Sequence, residues 1–147
     1  MRFGILRTKT VAGANVGGLI LGTATFSLFL MLTLYMQQVL GYSPMKTGVA
    51  YLAVAGSAIL WSAVAAQLVN RIGVKPVLVT GMVALTSGLV YFTQVSVHGT
   101  YLSDLLPGFL LVGVGLGFSF VPISIAALAG VRPAEAGLAS GLFNTTQ

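Results

Sequence analysis

The chain has 147 residues, of which 56% are hydrophobic and only 6% are charged, and its formal net charge is +5. A soluble domain carries about 25% charged residues, so this composition excludes a water-facing surface and indicates an integral membrane protein. The seven Lys and Arg residues are scattered, which argues against nucleic-acid binding, and there is no cysteine for disulfide or thiol chemistry.

The first apolar run follows a basic start and predicts a membrane span over residues 13–40. It is far too long for the apolar core of a signal peptide, so a retained helix is expected. About 28 residues give roughly 42 Å of helix against about 30 Å of hydrocarbon, so this helix has to tilt, bend or project. Two small-residue patterns, Gly13/Gly17 and Gly18/Gly22, predict close contact with another helix.

The polar side chains of this first span can be interpreted in two ways. They either line a cavity, or the hydroxyls bond back to carbonyls of their own helix. The residues include Thr23, Thr25, Ser27, Thr33, Tyr35, Gln37 and Gln38.

A short turn over residues 41–44 leads to the second span, predicted over residues 44–70. Gly41 is suited to end the first helix, Ser43 to cap the next one, and Pro44 to occupy its first turn. Trp61 lies deep in this span, where packing against protein or lipid and contact with a substrate are both open.

The second turn, residues 70–76, is basic and joins two uncharged runs. Arg and Lys cost about 2.5–3.5 kcal/mol each at a membrane centre, so they indicate helix ends. Gly73 is expected to close one helix in a left-handed conformation and Pro76 to open the next, while Asn70 can accept from freed backbone N–H groups. The third span is predicted over residues 76–97.

Residues 98–100 are expected to break the third helix before a fourth span over residues 102–129. Thr100 or Ser103 is suited to cap it, and Asp104 to complement its positive end. Pro122 predicts a kink. The alternating glycines place bare backbone on two sides of the helix; they are Gly113, Gly115 and Gly117.

After a polar turn, residues 133–147 are predicted to begin a fifth helix, which is too short to span the bilayer. Four spans place six basic residues on one side, against Lys46 on the other. By the positive-inside rule the N-terminus is cytoplasmic. The six are Arg2, Arg7, Lys9, Arg71, Lys75 and Arg132.

No enzymatic chemistry is indicated. The only histidine, His98, has no neighbouring acid, and Asp104 and Glu135 are predicted on opposite faces of the membrane. No group of residues has the spacing of metal ligands, and no cofactor is expected.

Three stretches resemble the major facilitator superfamily. Residues 66–75 (AQLVNRIGVK) resemble its cytoplasmic loop motif, with Ala66, Asn70 and Val74 standing where the motif has Gly, Asp and a base. Residues 34–44 (LYMQQVLGYSP) and 135–145 (EAGLASGLFNT) resemble the second half of fourteen-helix drug:proton antiporters. The resemblance covers nearly the whole chain.

The resemblance implies an all-α integral membrane fold: four transmembrane helices and the start of a fifth, from one six-helix bundle. The partner bundle, the N-terminal half of the transporter, would lie outside this chain. In such transporters substrate binds between the two halves. The first, second, fourth and fifth helices would then face the cavity, and the candidate lining residues are Thr25, Phe29, Thr33, Tyr35, Gln37, Trp61, Pro122 and Asn144.

The resemblance also implies a conformational-switch loop, formed by Asn70, Arg71, Gly73 and Lys75 with Glu135. Glu135 would pair with Arg71 or Lys75; alternatively it only complements the N-terminus of its own helix.

The expected function is part of a proton-coupled multidrug efflux antiporter of the bacterial plasma membrane. Its expected partners are amphipathic or cationic drug-like substrates, protons and the lipid bilayer. Two alternatives stay open: export of other solutes, and a self-contained four-helix membrane subunit or scaffold without transport activity. The second alternative would need a buried carboxylate if it were to couple protons itself.

Overall fold

The computed structural model describes residues 9–128 and residue 141. Every regular element in residues 9–128 is helical. Helix α1 spans Lys9–Leu34 and continues into a π-helical turn, Tyr35–Val39. Helix α2 spans Pro44–Ile72 and α3 spans Val74–Phe92. A second π-helical turn, Tyr101–Leu105, leads into α4, Leu106–Leu128.

The four helices are each long and apolar enough to cross a membrane. The all-helical fold with four spans is therefore as the sequence predicts. The α1–α2 turn and residues 93–100 lie at one end of the bundle, here named the Lys46 end. The α2–α3 turn lies at the other end, here named the Arg71 end. The predicted fifth helix, residues 133–147, lies outside the described residues apart from Gly141.

Helix α4 is the centre of the arrangement. Of its most apolar stretch 56% is buried, against 22% in each of the other three spans. It packs along both α2 and α3 and more briefly against α1. Phe109, Val112 and Ile123 of α4 are almost completely buried, together with Leu21 of α1. The other helices expose most of their apolar surface.

Glycines let α4 approach its two neighbours at backbone distance. A methyl group on Gly115 would lie 2.6 Å from the backbone nitrogen of Leu85 in α3. On Gly117 it would lie 2.8 Å from the backbone nitrogen of Ser62 in α2, and on Gly113 it would lie 2.5 Å from Ser57 Cβ. Atoms essentially never come this close, so a side chain at any of these positions forces the helices apart. The predicted bare backbone on two sides of this helix is confirmed.

Among the described residues, the Gly13/Gly17 pattern makes no close backbone contact with another helix. A methyl group on Gly13 would meet nothing within 4 Å, and one on Gly17 would be at an ordinary 3.8 Å from Ile123. Large side chains of α1 and of the π-helical turn after it, among them Leu28 and Met36, are buried in the bundle.

The third helix ends at Phe92, five residues before the predicted Val97. The Thr93 hydroxyl donates to the Val90 carbonyl at 2.7 Å, and the Thr93 and Gln94 amides make short-range bonds to Val90 and Tyr91 at 3.1 Å. These bonds tighten and close the last turn. Val95 and Val97 extend the apolar run beyond this turn, which is why hydropathy predicts a longer helix.

The helix caps follow the predictions. The Ser43 side chain accepts from the Lys46 amide at 3.3 Å at the start of α2. Gly41 has a φ of 65° in the turn before it. Of the two candidate caps of the fourth span, Thr100 is the one used, because its side chain accepts from the Ser103 amide at 3.4 Å.

Candidate functional site

The α2–α3 turn is only one residue long. Gly73 ends α2 and precedes Val74, the first residue of α3. Its φ of 87° and ψ of 170° lie in a region that is essentially restricted to glycine, rather than in the left-handed helical region expected from the sequence. The Gly73 amide donates to the Val69 carbonyl at 3.0 Å, so the turn is closed by backbone and not by the Asn70 side chain.

The basic side chains of this turn face away from the helix packing. Asn70, Arg71 and Lys75 are all exposed. Below them Ala65, Val69, Val77 and Phe118 form a compact apolar cluster that joins α2, α3 and α4. The turn is thus held rigidly from beneath, while its charges are available to another segment. Glu135 and Asn144 lie outside the described residues, so the predicted pair of Glu135 with Arg71 or Lys75 stays a prediction.

The candidate cavity residues Phe29 and Thr33 meet at one point between α1 and α2. The Tyr51 hydroxyl lies 2.9 Å from Thr33 Oγ1 and donates to the Phe29 carbonyl at 2.9 Å. The ring centroids of Phe29 and Tyr51 are 4.8 Å apart. This group places a pair of hydroxyls beside one carbonyl in an apolar setting, where each hydroxyl has a hydrogen-bond partner.

The hydroxyls of α1 also bond to their own helix. Thr25 Oγ1 donates to the Leu21 carbonyl at 2.7 Å and Thr33 Oγ1 donates to the Phe29 carbonyl at 2.7 Å. Both side chains are only half-buried. Back-bonding of this kind therefore occurs, and for Thr33 it coexists with the contact to Tyr51.

The two polar candidates in the π-helical turn, Tyr35 and Gln37, differ in their contacts. The Tyr35 hydroxyl donates to the Ser96 carbonyl and ties the end of α1 to residues 93–100. Gln37 is exposed. The turn itself is stabilised by the Leu40 amide, which donates to the Tyr35 carbonyl at 3.1 Å, and this bond across five residues is not predicted by the sequence.

Trp61 and Pro122 differ in exposure. Trp61 is 40% exposed, with its ring centroid 5.8 Å from that of Phe118. Pro122 is fully buried inside α4. As a proline it cannot donate to the Phe118 carbonyl one turn earlier. Gly81 of α3 lies against this carbonyl, since a methyl group there would be 2.8 Å from it.

An aromatic cluster missed by the sequence analysis surrounds Phe109. The ring centroid of Phe109 lies 5.4 Å from that of Tyr51, 5.6 Å from Phe92 and 6.2 Å from Tyr101. The Tyr101 hydroxyl donates to the Ala50 carbonyl at 3.0 Å. The cluster joins α2, α3 and α4 at the Lys46 end. The only sequence signal for it is the aromatic content of these stretches.

Asp104 organises the polar surface at the same end. Its carboxylate accepts from the Ser103 hydroxyl at 2.7 Å and from the Ser96 amide at 3.4 Å. The Tyr91 hydroxyl in turn donates to the Ser103 carbonyl. Asp104 thus fixes residues 93–100 against the start of α4, where a negative charge also complements the helix end.

All Lys, Arg, Asp and Glu residues in the described part of the chain occupy positions near helix ends. Lys9, Lys46 and Lys75 lie in first turns, Arg71 in a last turn, and Asp104 in the turn that leads into α4. Among the same residues no group of three or more His, Cys, Asp or Glu could hold a metal ion. The interior of the spans offers hydroxyls, aromatic rings and apolar surface.

Comparison with known proteins gives a match over residues 2–147 to the family model described as Major Facilitator Superfamily. The chain is 38% identical over 125 residues to the puromycin resistance protein of Streptomyces alboniger, covering 83% of the chain and 25% of that protein. It is 31% identical over 144 residues to a Mycobacterium tuberculosis multidrug resistance protein B homolog, covering 97% of the chain and 27% of that protein.

A third relative is the cephamycin export protein of Amycolatopsis lactamdurans, 28% identical over 138 residues, with 93% of the chain and 28% of that protein covered. The chain therefore spans about a quarter of the length of the curated relatives that it matches.

Proposed function

The chain belongs to the Major Facilitator Superfamily, and on that premise we propose that its helices form part of a secondary-active exporter of drug-like molecules. The observation that carries the proposal is the family match over residues 2–147 together with relatives named for puromycin resistance, multidrug resistance and cephamycin export. The finer proposal is a proton-coupled multidrug antiporter that works by alternating access. Its substrates are amphipathic or cationic small molecules.

The packing supports different roles for the helices, with α4 in the interior and other helices facing the substrate cavity. Helix α4 is buried between α2 and α3, whereas the other three helices leave large apolar side chains exposed; in α1 and α2 these include Phe26, Leu30, Met31, Leu60 and Trp61. We assign the surface of α1 and α2 around Thr33, Tyr51 and Trp61 to the substrate cavity. It combines aromatic faces with a few hydroxyls, which suits apolar or cationic molecules.

The chain alone is expected not to move a dye in response to a proton gradient. Within residues 9–128 the acids and bases stand near helix ends, whereas a proton relay through a membrane needs an ionisable group inside it. The measurement is dye transport into proteoliposomes that contain only this chain, with an imposed proton gradient.

The matched sample is the product of the full reading frame, reconstituted with the two bundles together. It is expected to move the dye and to stop when a protonophore is added. Transport by the chain alone would contradict the proposal that it is one part of a transporter. If the full product still transported the dye in the presence of the protonophore, the proposal of proton coupling would be wrong. The proposal of export would remain supported.

The proposed location is the bacterial plasma membrane, with the N-terminus in the cytoplasm. Since the chain has no cysteine, single cysteines report sidedness cleanly. His98→Cys is expected to react with an impermeant maleimide on intact cells, and Ile72→Cys only after permeabilisation, because the basic residues of the α2–α3 turn favour the cytoplasm. Both positions avoid Gly41 and Gly73, whose positive φ a cysteine would strain. Labelling of Ile72→Cys on intact cells would reverse the orientation.

We also propose that Glu135 pairs with Arg71 or Lys75 in one conformation of the transporter and releases it in the other. Exposed ion pairs are worth only about 0–1 kcal/mol, which suits a contact that has to open. In double-mutant cycles on the full transporter, Glu135→Ala is expected to affect transport non-additively with either Arg71→Ala or Lys75→Ala. Additive effects in both cycles would leave Glu135 with a role only at its own helix end, worth about 0.3–1 kcal/mol.

A further inference from the structure

An open pocket of about 260 Å³ lies at the Lys46 end, where the α1–α2 turn meets the start of α4. Its walls are Tyr42, Lys46, Val49, Ala50 and Tyr101. Lys46 Nζ stands 3.7 Å from the centroid of the Tyr42 ring, and the Tyr101 hydroxyl donates to the Ala50 carbonyl at 3.0 Å. The amine and both aromatic walls are therefore held in place by contacts of their own.

The charge at this pocket is positive and available. The other Lys and Arg residues between positions 9 and 128 are Lys9, Arg71 and Lys75, which belong to the Arg71 end. Asp104, the one acid between positions 9 and 128, already accepts hydrogen bonds from Ser96 and Ser103. An ammonium group has three N–H donors, and a ring face occupies only part of them. The N-terminus of α2 adds a partial positive charge beside it.

An apolar strip runs from the pocket along α2 into the membrane-spanning part of the helix. Met45, Val49 and Leu52 are 79%, 58% and 64% exposed and follow one another at helical spacing of four and three residues. Because the span begins at Pro44, the pocket lies at the boundary between the hydrocarbon and the headgroups. Tyr and Lys are both favoured at this depth.

We propose that the pocket binds the phosphate of an anionic membrane phospholipid, with Lys46 contacting the phosphate and an acyl chain lying along Val49 and Leu52. A volume of about 260 Å³ is smaller than the roughly 300–1,000 Å³ of pockets that enclose a drug-sized molecule. It suits a headgroup whose chains run outside, rather than a transported substrate. The inference depends on the membrane spans and not on what the transporter carries.

The test is native mass spectrometry of the purified chain in a neutral detergent, titrated with phosphatidylglycerol or with phosphatidylcholine. Phosphatidylglycerol is expected to be retained in preference. Lys46→Gln is expected to weaken its binding about tenfold, the effect of losing one hydrogen bond to a charged group. Lys46→Arg is expected to restore binding, which separates loss of the charge from loss of the fold.

The matched control is Lys75→Gln, an exposed lysine in the first turn of α3 at the Arg71 end. It is expected to leave phosphatidylglycerol binding unchanged. An equal loss in both Gln variants would mean diffuse attraction to charge and would overturn the site. Displacement of the lipid by millimolar inorganic phosphate would also overturn it, since the anion alone would then account for the pocket.

Discussion

Phe109→Ala is expected to lower the free energy of unfolding by about 3–5 kcal/mol, the usual cost of emptying a buried phenylalanine site. Phe109 is only 1% exposed, and its ring lies within 6.2 Å, centroid to centroid, of Tyr51, Phe92 and Tyr101. In a membrane, helix association depends on such packing because lipid supplies no hydrophobic drive. The cavity would therefore loosen α2, α3 and α4 at the Lys46 end together.

The measurement is a titration of the purified chain from a mild detergent into dodecyl sulfate, followed by circular dichroism. Phe26→Ala is the matched control, because Phe26 is 73% exposed on α1 and its loss leaves no cavity. A loss of stability of the same size in both variants would show that ring removal acts through detergent binding and not through the aromatic cluster.

The parts of the fold that can be predicted from the sequence are those that follow from the chemistry of individual residues. Ser43 before Pro44 predicts a helix start because a hydroxyl at that position accepts a backbone amide, and the structure has this bond. Gly113, Gly115 and Gly117 predict two bare sides because successive residues turn by about 100° around a helix. Both predictions depend only on neighbours along the chain.

What the sequence did not reveal depends on partners from other helices. Tyr51 was not singled out, yet its hydroxyl joins α2 to Thr33 and Phe29 of α1. The end of α3 was misplaced because Val95 and Val97 extend the apolar run, while the fold of residues 93–100 is set by Asp104, which is distant in sequence. The site follows the same rule: its residues could be named from the family pattern, but their contacts could not.

The central position of α4 has a consequence for motion. Its neighbours α2 and α3 touch it through backbone on opposite sides, at Gly113 and Gly117 for α2 and at Gly115 for α3. Backbone contacts cannot adapt by a change of rotamer, so the three helices have to move as one unit. In a transporter that alternates access, the relative motion would then fall between this unit and the helices outside it, α1 among them.

Gly115→Ala is expected to lower the free energy of unfolding by about 1–3 kcal/mol, the usual cost of overpacking. The new methyl group would lie 2.6 Å from the Leu85 backbone nitrogen and 2.7 Å from its Cα. Helix α4 cannot shift away from α3, because the shift would press Gly113 and Gly117 into α2. The gain in helix propensity, about 1 kcal/mol for Gly to Ala, offsets only part of the cost.

Gly56→Ala in α2 is the matched control for this variant. A methyl group there would meet nothing within 4 Å, so only the propensity gain remains, and stability is expected to stay level or rise by up to about 1 kcal/mol. The same dodecyl sulfate titration compares the two variants. If Gly115→Ala were as stable as Gly56→Ala, α3 and α4 would have to be farther apart than the backbone contact at Leu85 requires, and α4 would not be the fixed centre of the bundle.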